Sequence, residues 1–412
     1  MNVLYIDHYA GSESMGMEFR PFYLSKIWKD MDINTTILAA DYSHLRKTNP
    51  IVKRDLEVQK IDGTDFLFLK TTHYHGNGLG RIKSMFDFVT KGILKGNKII
   101  DIAKPDVVIT SSTYPLDTYI GQRIAKKTGA KLFHEIHDLW PLSPMELGGF
   151  SKNHPFIKIM QYAEDSAYKN SDGVISILPN TKPYIRGRGY NLPVYNIPNG
   201  LLGKYFSDSE SDVYNLQAKV LVGKLQNEGK FIVGYSGGIS VSNAMDDFIN
   251  AMMKLKGTNI SAVIIGDGIL KKELIKIKEE KHLDNVFFID KINKNEVIGT
   301  LKLMDALYIG SKKSMLYSYG VSANKIFDYL LAGKPIINAF DTEHSPMNYV
   351  GNTIIAEAEN SDSIAEAIIK SSNLSDLTRR EIEIDSRNYV YKNHNYDYLA
   401  DRFATILRTS RG

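Results

Sequence analysis

The chain has no cysteine among its 412 residues, so neither a disulfide frame nor a thiolate metal site can form. That suits a reducing compartment. It has no large excess of one charge: 51 Lys and Arg face 47 Asp and Glu, and a net charge of +4 is too small to argue for nucleic acid as a partner. It has no apolar run of the roughly 18 residues that a membrane-crossing helix needs. It has no internal repeat and no low-complexity tract. Its opening residues read as a strand rather than a signal peptide, because no basic stretch precedes them and polar residues follow at once. What is present is globular in composition, with 43% hydrophobic and 24% charged residues, in a chain long enough for two domains.

Short apolar runs predict strands at 3–6, 35–39, 66–69, 107–110, 131–136, 173–178 and 194–197. Helical patterns at 18–29, 117–127 and 156–168 lie between them. The polar stretch 201–230 interrupts this rhythm and reads as a domain junction. Strands then resume at 231–235, 261–265, 286–289, 306–309, 335–339 and 353–356, with helices at 246–255, 270–280, 294–304 and 363–370. Such βαβ alternation predicts an α/β protein of two doubly wound, mostly parallel sheets covered on both faces. The expected domains are 1–203 and 204–394, with a closing helix in 395–412 packing back on the first.

Residues 320–335 are the most informative stretch. They read as a loop, a short helix stopped at Ala332 and Gly333, and a strand. On a helical wheel Ile326, Phe327, Leu330 and Leu331 form the core arc, while Asn324, Lys325 and Asp328 lie opposite. Ser322 is the expected N-cap, which leaves the amides of Ala323, Asn324 and Lys325 pointing outward. Free donors, a positive dipole end and a first-turn lysine favour an anion such as a diphosphate. Asp328 is then placed to hold a hydroxyl pair, such as a ribose. The same pattern also describes a capped surface helix with a solvated polar face. Gly237 and Gly238 follow a strand and let backbone amides approach a phosphate, though a plain turn has the same spelling. No G-x-G-x-x-G follows a strand here, which weighs against a dinucleotide enzyme.

Four further motifs occur in order with this one: His137-Asp138-Leu139-Trp140-Pro141, Ile197-Pro198-Asn199-Gly200, Tyr235-Ser236-Gly237-Gly238-Ile239 and Ile265-Gly266-Asp267-Gly268. Together they resemble the family 4 retaining glycosyltransferases of GT-B fold, and within them the WbuB-like branch of O-antigen and capsule assembly. The resemblance implies two Rossmann-like domains facing across a cleft. It implies a hexosyl transfer, with retention and without a metal or other cofactor. The donor would be a UDP-sugar, such as N-acetylfucosamine or another N-acetylated deoxy sugar, and the acceptor a lipid-linked saccharide. The enzyme would be cytoplasmic and peripheral on the inner face of the membrane. Donor contacts would come from Gly237, Gly238, Asn243, Gly266, Lys291, Ile292, Val321, Ser322, Ala323, Asn324, Lys325 and Asp328. Two departures stand out. Gly320 occupies the place of the first acid of the family's pair, of which Asp328 is the second, and the loop 239–244 has no Arg or Lys. A nucleotide-sugar 2-epimerase of the same fold, or a non-catalytic nucleotide-sugar-binding subunit, are the alternatives.

In the first domain, residues 134–138 end a strand, where ligands bind in open α/β sheets. Alternation turns His134 and Ile136 one way and Glu135 and His137 the other, which argues against a metal held by both histidines. The resemblance implies that His137 lies by the donor sugar, with Asp138 either orienting it or capping the turn at Pro141. His137 as a purely structural strand-end residue is the alternative. Gly11, Glu18 and Arg20 match the loop that would close over donor and acceptor. His44, Arg46, Asn77 and Arg81 are candidate contacts for an anionic acceptor such as a lipid diphosphate, against a background of ordinary solvated charge. Finally, Lys83, Lys91, Lys95 and Lys98 share one arc of a predicted helix over 81–104. That arc suits an anionic membrane surface or an ordinary crossover helix, and Gly92 and Gly96 are possible breaks.

Overall fold

The Val-, Ile- and Leu-rich runs become strands because both their faces are covered. The computed structural model describes residues 1–76, 78–207, 212–351 and 353–409. The chain divides into two units, one of residues up to Asn199 plus the chain from Tyr396 onward, the other of Gly200–Asn395. The sequence had suggested 203/204 and 394/395.

The first unit holds β1 (Asn2–Ile6), β2 (Asn34–Ala40), β3 (Glu57–Ile61), β4 (Thr64–Leu69), β5 (Val107–Thr110), β6 (Lys131–Ile136), β7 (Gly173–Ser176) and β8 (Val194–Asn196). Among the described residues they form one sheet in the order β3-β4-β2-β1-β5-β6-β7-β8, parallel except for β3. The order reverses at β1/β5, which opens a crevice at the carboxyl ends of those strands. One face is covered by helices Leu79–Leu94, Thr118–Thr128 and Pro155–Asn170, with Phe88, Ile120 and Met160 packed among Leu4, Ile6 and Leu132. On the other, helix Arg20–Lys29 meets Tyr396–Thr409. There Trp28 donates from Nε1 to the Ala400 carbonyl at 2.9 Å and meets the Phe403 ring edge-on.

The second unit holds β9 (Phe231–Ser236), β10 (Ile260–Ile265), β11 (Val286–Ile289), β12 (Ala306–Gly310), β13 (Ile336–Ala339) and β14 (Thr353–Ile355). They form an all-parallel sheet in the order β11-β10-β9-β12-β13-β14, with its reversal at β9/β12. Separate apolar clusters pack each face, one around Ile232, Leu307 and Leu330 and the other around Val233, Phe248 and Ile264.

Four features differ from the sequence reading. β3 was not predicted: it is a polar edge strand with alternating exposure, joined to β4 through Asp62 and Gly63, both at positive φ. The stretch 201–230 is not a plain junction, because helix Leu216–Asn227 buries Ala218, Val222 and Leu225 within the second unit. Helix Asp376–His394 was also missed, since only Ile382, Ser386, Val390 and His394 of its 19 residues are buried. The helix predicted over 81–104 is two helices, Leu79–Leu94 and Gly96–Ala103, so the lysine arc is broken at Lys95. Lys91 and Lys95 both reach Asp55, at 3.2 and 3.4 Å, and are not a free cationic face. No helix among the described residues is long and apolar enough to cross a membrane.

Candidate functional site

In the second unit, β9 runs out into Ser236, Gly237 and Gly238 beside the turn that follows β10. Gly237 N donates to the Ile265 carbonyl at 3.0 Å, and Ile239 N to the Asp267 carbonyl at 2.9 Å. Gly266 is required for this approach, because a Cβ there would sit 2.0 Å from the Gly237 carbonyl oxygen. Gly266 therefore shapes the loop through its backbone. Lys271 ties the same turn down, its Nζ reaching the Gly266 carbonyl at 2.9 Å and Asp290 at 2.6 Å.

Lys325 converges on this loop from helix Asn324–Ala332. Its Nζ lies 2.5 Å from Asn243 Oδ1, 3.1 Å from the Tyr235 hydroxyl and 5.0 Å from the Tyr235 ring centre. Asn243 in turn donates to the Gly238 carbonyl at 3.1 Å. The Tyr329 hydroxyl accepts from Ser236 N at 2.8 Å and pins the end of β9. Among the described residues no carboxylate pairs with Lys325, and burial pushes its ammonium down to about 8. A desolvated cation with no acid beside it gains from binding an anion.

The helix start differs in one respect from expectation. Its N-cap is Ala323, not Ser322, and Ala323 has no side-chain oxygen to offer. Ser322 is buried one residue earlier. Val321 N is held by the His344 carbonyl at 3.0 Å. Asn324 is exposed, and the first amides of the helix have no preceding turn to bond. Gly320 takes φ +93°, a conformation that disfavours any side chain and favours glycine at this position. Asp328 is buried, and both its oxygens lie 2.6 Å from Lys294 Nζ. Lys291 is exposed and Ile292 packs against the core cluster, both just before Lys294.

In the first unit, β6 delivers Glu135 and His137 to one side. His137 Nε2 lies 2.8 Å from Ser111 Oγ and 3.3 Å from Glu135 Oε2. Asp138 makes no bond to His137. It caps the following turn instead, accepting from Leu139 N at 2.9 Å and from the Ser143 hydroxyl. His134 lies apart, bonded to Thr110 at 3.2 Å and pushed down to about 4 by burial. No group of three or more metal-ligating side chains converges among the described residues.

Two arginines expected to meet an acceptor are used by the fold. Arg20 is 1% exposed, bonded to Glu135 at 2.9 Å and to the carbonyls of Ile197 and Pro198 at 2.8 Å. Arg46 is buried and donates to the carbonyls of Ala10 and Ala40. Gly11 and Glu18 close one loop, Gly11 N donating to the Glu18 carbonyl at 2.8 Å. His44 and Arg81 do come together around Tyr9 and Tyr74. His44 Nδ1 is 2.7 Å from the Tyr74 hydroxyl, and Arg81 Nε is 3.2 Å from the Tyr9 hydroxyl. Burial, then Arg81, pushes the His44 imidazole down. Asn77 lies outside the described residues.

Residues 221–389 match the protein family described as Glycosyl transferases group 1. No curated protein matches the sequence. Among solved structures, sucrose-phosphate synthase from Thermosynechococcus elongatus is similar over 99% of both chains at 14% identity, with a TM-score of 0.73. A glycosyltransferase from Rickettsia africae is similar at 15% identity over 99% of this chain and 98% of its own, with a TM-score of 0.71. Anabaena HepE, in complex with UDP and glucose, is similar at 16% identity over 99% of both chains, with a TM-score of 0.66. The fold is that of the GT-B glycosyltransferase structures, two parallel-sheet Rossmann-like domains.

Proposed function

We propose that the protein is a glycosyltransferase that takes a sugar from a UDP-linked donor and transfers it to a lipid-linked saccharide. The observation that carries this reading is Lys325. It is a half-buried cation without an acid partner among the described residues, at an uncapped helix start, turned toward the Gly237–Gly238 loop within the region matching the glycosyltransferase family. In this reading the loop amides, Lys325 and the helix dipole hold the diphosphate, and Asp328 with Lys294 holds the ribose. The ring of the base lies by Lys291 and Ile292. His137 serves the reacting sugar, and His44 with Arg81 receives an anionic group of the acceptor. UDP as the nucleotide is supported by Anabaena HepE, whose structures contain UDP and UDP-glucose. Retention, independence from metal, membership in the WbuB-like branch and a place on the inner membrane face belong to the same proposal.

The test is turnover across a panel of UDP-sugars with lipid-linked saccharide acceptors, with and without a chelator. Transfer that needs the acceptor and survives EDTA is the expected outcome. UDP release without any acceptor points to the epimerase chemistry instead. Gly320 supports a second reading, a binding subunit without turnover, because its φ of +93° leaves no acid side chain beside the donor sugar. Tight UDP-sugar binding with no transfer to any acceptor would establish that one.

A further inference from the structure

Glu135 is completely buried, and four side chains are arranged around its carboxylate. Oε1 receives Arg20 Nε at 3.0 Å and Nη2 at 2.9 Å. Oε2 receives the Ser111 hydroxyl at 2.7 Å and the Tyr5 hydroxyl. Burial alone would raise this carboxyl, but Arg20, then His137 and Ser111, outweigh it and hold it far below the ordinary range. Ser111 has one proton and directs it to Glu135. Its oxygen can then only accept, and it faces His137 Nε2 at 2.8 Å. Glu135 Oε2 faces the same nitrogen at 3.3 Å. Two acceptors on Nε2 place a proton there. Nδ1 has no partner among the described residues.

We propose that Glu135 is the positioning residue of His137: with Ser111 it fixes the Nε2–H edge inward and leaves Nδ1 as a second N–H donor for an electron-rich oxygen of the substrate. This rests on the reading of His137 given above. The charged and titratable groups facing the ring are Glu135 and, from other segments, Glu18 before helix Arg20–Lys29 and Asp7 after β1. His134 near the end of β6 and Asp138 just after the ring flank it on its own segment. Burial pulls the His137 imidazole down, but Glu135, then Glu18 and Asp7, raise it above the ordinary 6.5. Arg20 seats the carboxylate from behind and is not itself at the reacting edge.

Nitrogen-15 NMR of the full chain tests this, with His137 assigned through the loss of its signals in His137→Gln. The expected spectrum has a midpoint above 6.5 and, in the neutral form, the proton on Nε2. In Glu135→Gln the midpoint falls, and the alkaline limb of kcat moves to lower pH while UDP affinity is unchanged. A neutral His137 carrying its proton on Nδ1, or a midpoint below 6.5, overturns the proposal even if Glu135→Gln does not fold. An unmoved kcat profile in a folded Glu135→Gln also overturns it, while inactive His137→Gln leaves the parent reading standing. Full turnover in His137→Gln would instead remove the parent reading.

Discussion

Lys294 Nζ lies 2.6 Å from both carboxylate oxygens of Asp328, so the acid expected to hold a ribose already carries a cation. Burial pushes the Asp328 carboxyl up, and Lys294 opposes it. A carboxylate has about four lone-pair sites, so hydroxyl donors can bind beside the ammonium. Asp328→Ala is expected to weaken UDP binding by about 1.5–3 kcal/mol, the loss of a charged hydrogen bond. Lys294→Met leaves the buried carboxyl alone, which raises it further. Its UDP affinity should therefore drop more at pH 6 than at pH 8, as the acid takes up a proton and stops accepting. Calorimetry at both pH values measures this, and equal affinity to wild type at each would remove Lys294 from the site.

Lys325 gives the opposite pH dependence. Its ammonium is pushed down to about 8 by burial, and a diphosphate favours the charged form. Binding should take up protons, and UDP affinity should decline as pH rises through about 8. Titration calorimetry at pH 8 in buffers of differing ionisation heat reads the uptake directly. Lys325→Met should bind more weakly and lose the dependence. Proton-neutral binding by the wild type would argue that Lys325 does not touch the anion.

The sequence made the strands legible because β-branched runs buried on both faces carry their own signal. It missed β3 and helix Asp376–His394 because each exposes most of its side chains, and apolar periodicity is weak there. At the site, one helix wheel placed Lys325 and Asp328 together, since both lie on one element. Lys294 could not be foreseen, because its contact with Asp328 spans 34 residues and depends on how two helices pack. Strand alternation did put Glu135 on the same side as His137. Asp138 follows His137 in the motif, where orienting His137 and capping the turn were both open, and its partners are Leu139 N and Ser143, those of a cap. Arg20 and Arg46 show the general difficulty: a guanidinium that satisfies buried carbonyls looks, in sequence, like any surface cation.

Arg20 therefore belongs to a stability prediction. It holds Glu135 and the carbonyls of Ile197 and Pro198, all buried. Arg20→Met removes the guanidinium from that carboxylate, leaving only His137, Ser111 and Tyr5 around it, and should cost about 3–5 kcal/mol, the usual result of breaking a buried pair. Urea unfolding of the variant measures it. A variant as stable as wild type but with weakened acceptor use would return Arg20 to the ligand-binding role.

The proposed membrane contact rests on two lysines rather than four. Lys83 and Lys98 are exposed and have no ion-pair partner among the described residues, whereas Lys91 and Lys95 hold Asp55. Each free lysine near an anionic bilayer contributes about 1 kcal/mol, screened by salt. Lys83→Glu with Lys98→Glu should cut co-sedimentation with phosphatidylserine vesicles at low salt and leave UDP affinity intact. Co-sedimentation indifferent to both the double change and salt would leave these helices as solvated surface.

Asp117 offers a pH dependence of stability that can be isolated. It precedes helix Thr118–Thr128 and is completely buried. One oxygen accepts from Ser112 N at 2.8 Å, and Oδ1 has no partner among the described residues. Burial, opposed by Ser112, pushes the carboxyl from 3.8 to about 8. Between those values the folded chain holds a proton that the unfolded chain has lost. The contribution is thus complete below the unfolded value and is lost as pH rises through about 8. Asp117→Asn keeps the acceptor for Ser112 N and does not titrate. Relative to wild type, its stability should improve by up to about 1.4 kcal/mol per pH unit across this window. Denaturant unfolding of both proteins from pH 5 to pH 9 follows the difference, which cancels the titration of His8 and His134 common to both, while Asp7, whose charge acts on Asp117, titrates with it. A difference that stays flat, or that runs the other way, would mean Asp117 is ionised in the folded protein and that its second oxygen is solvated.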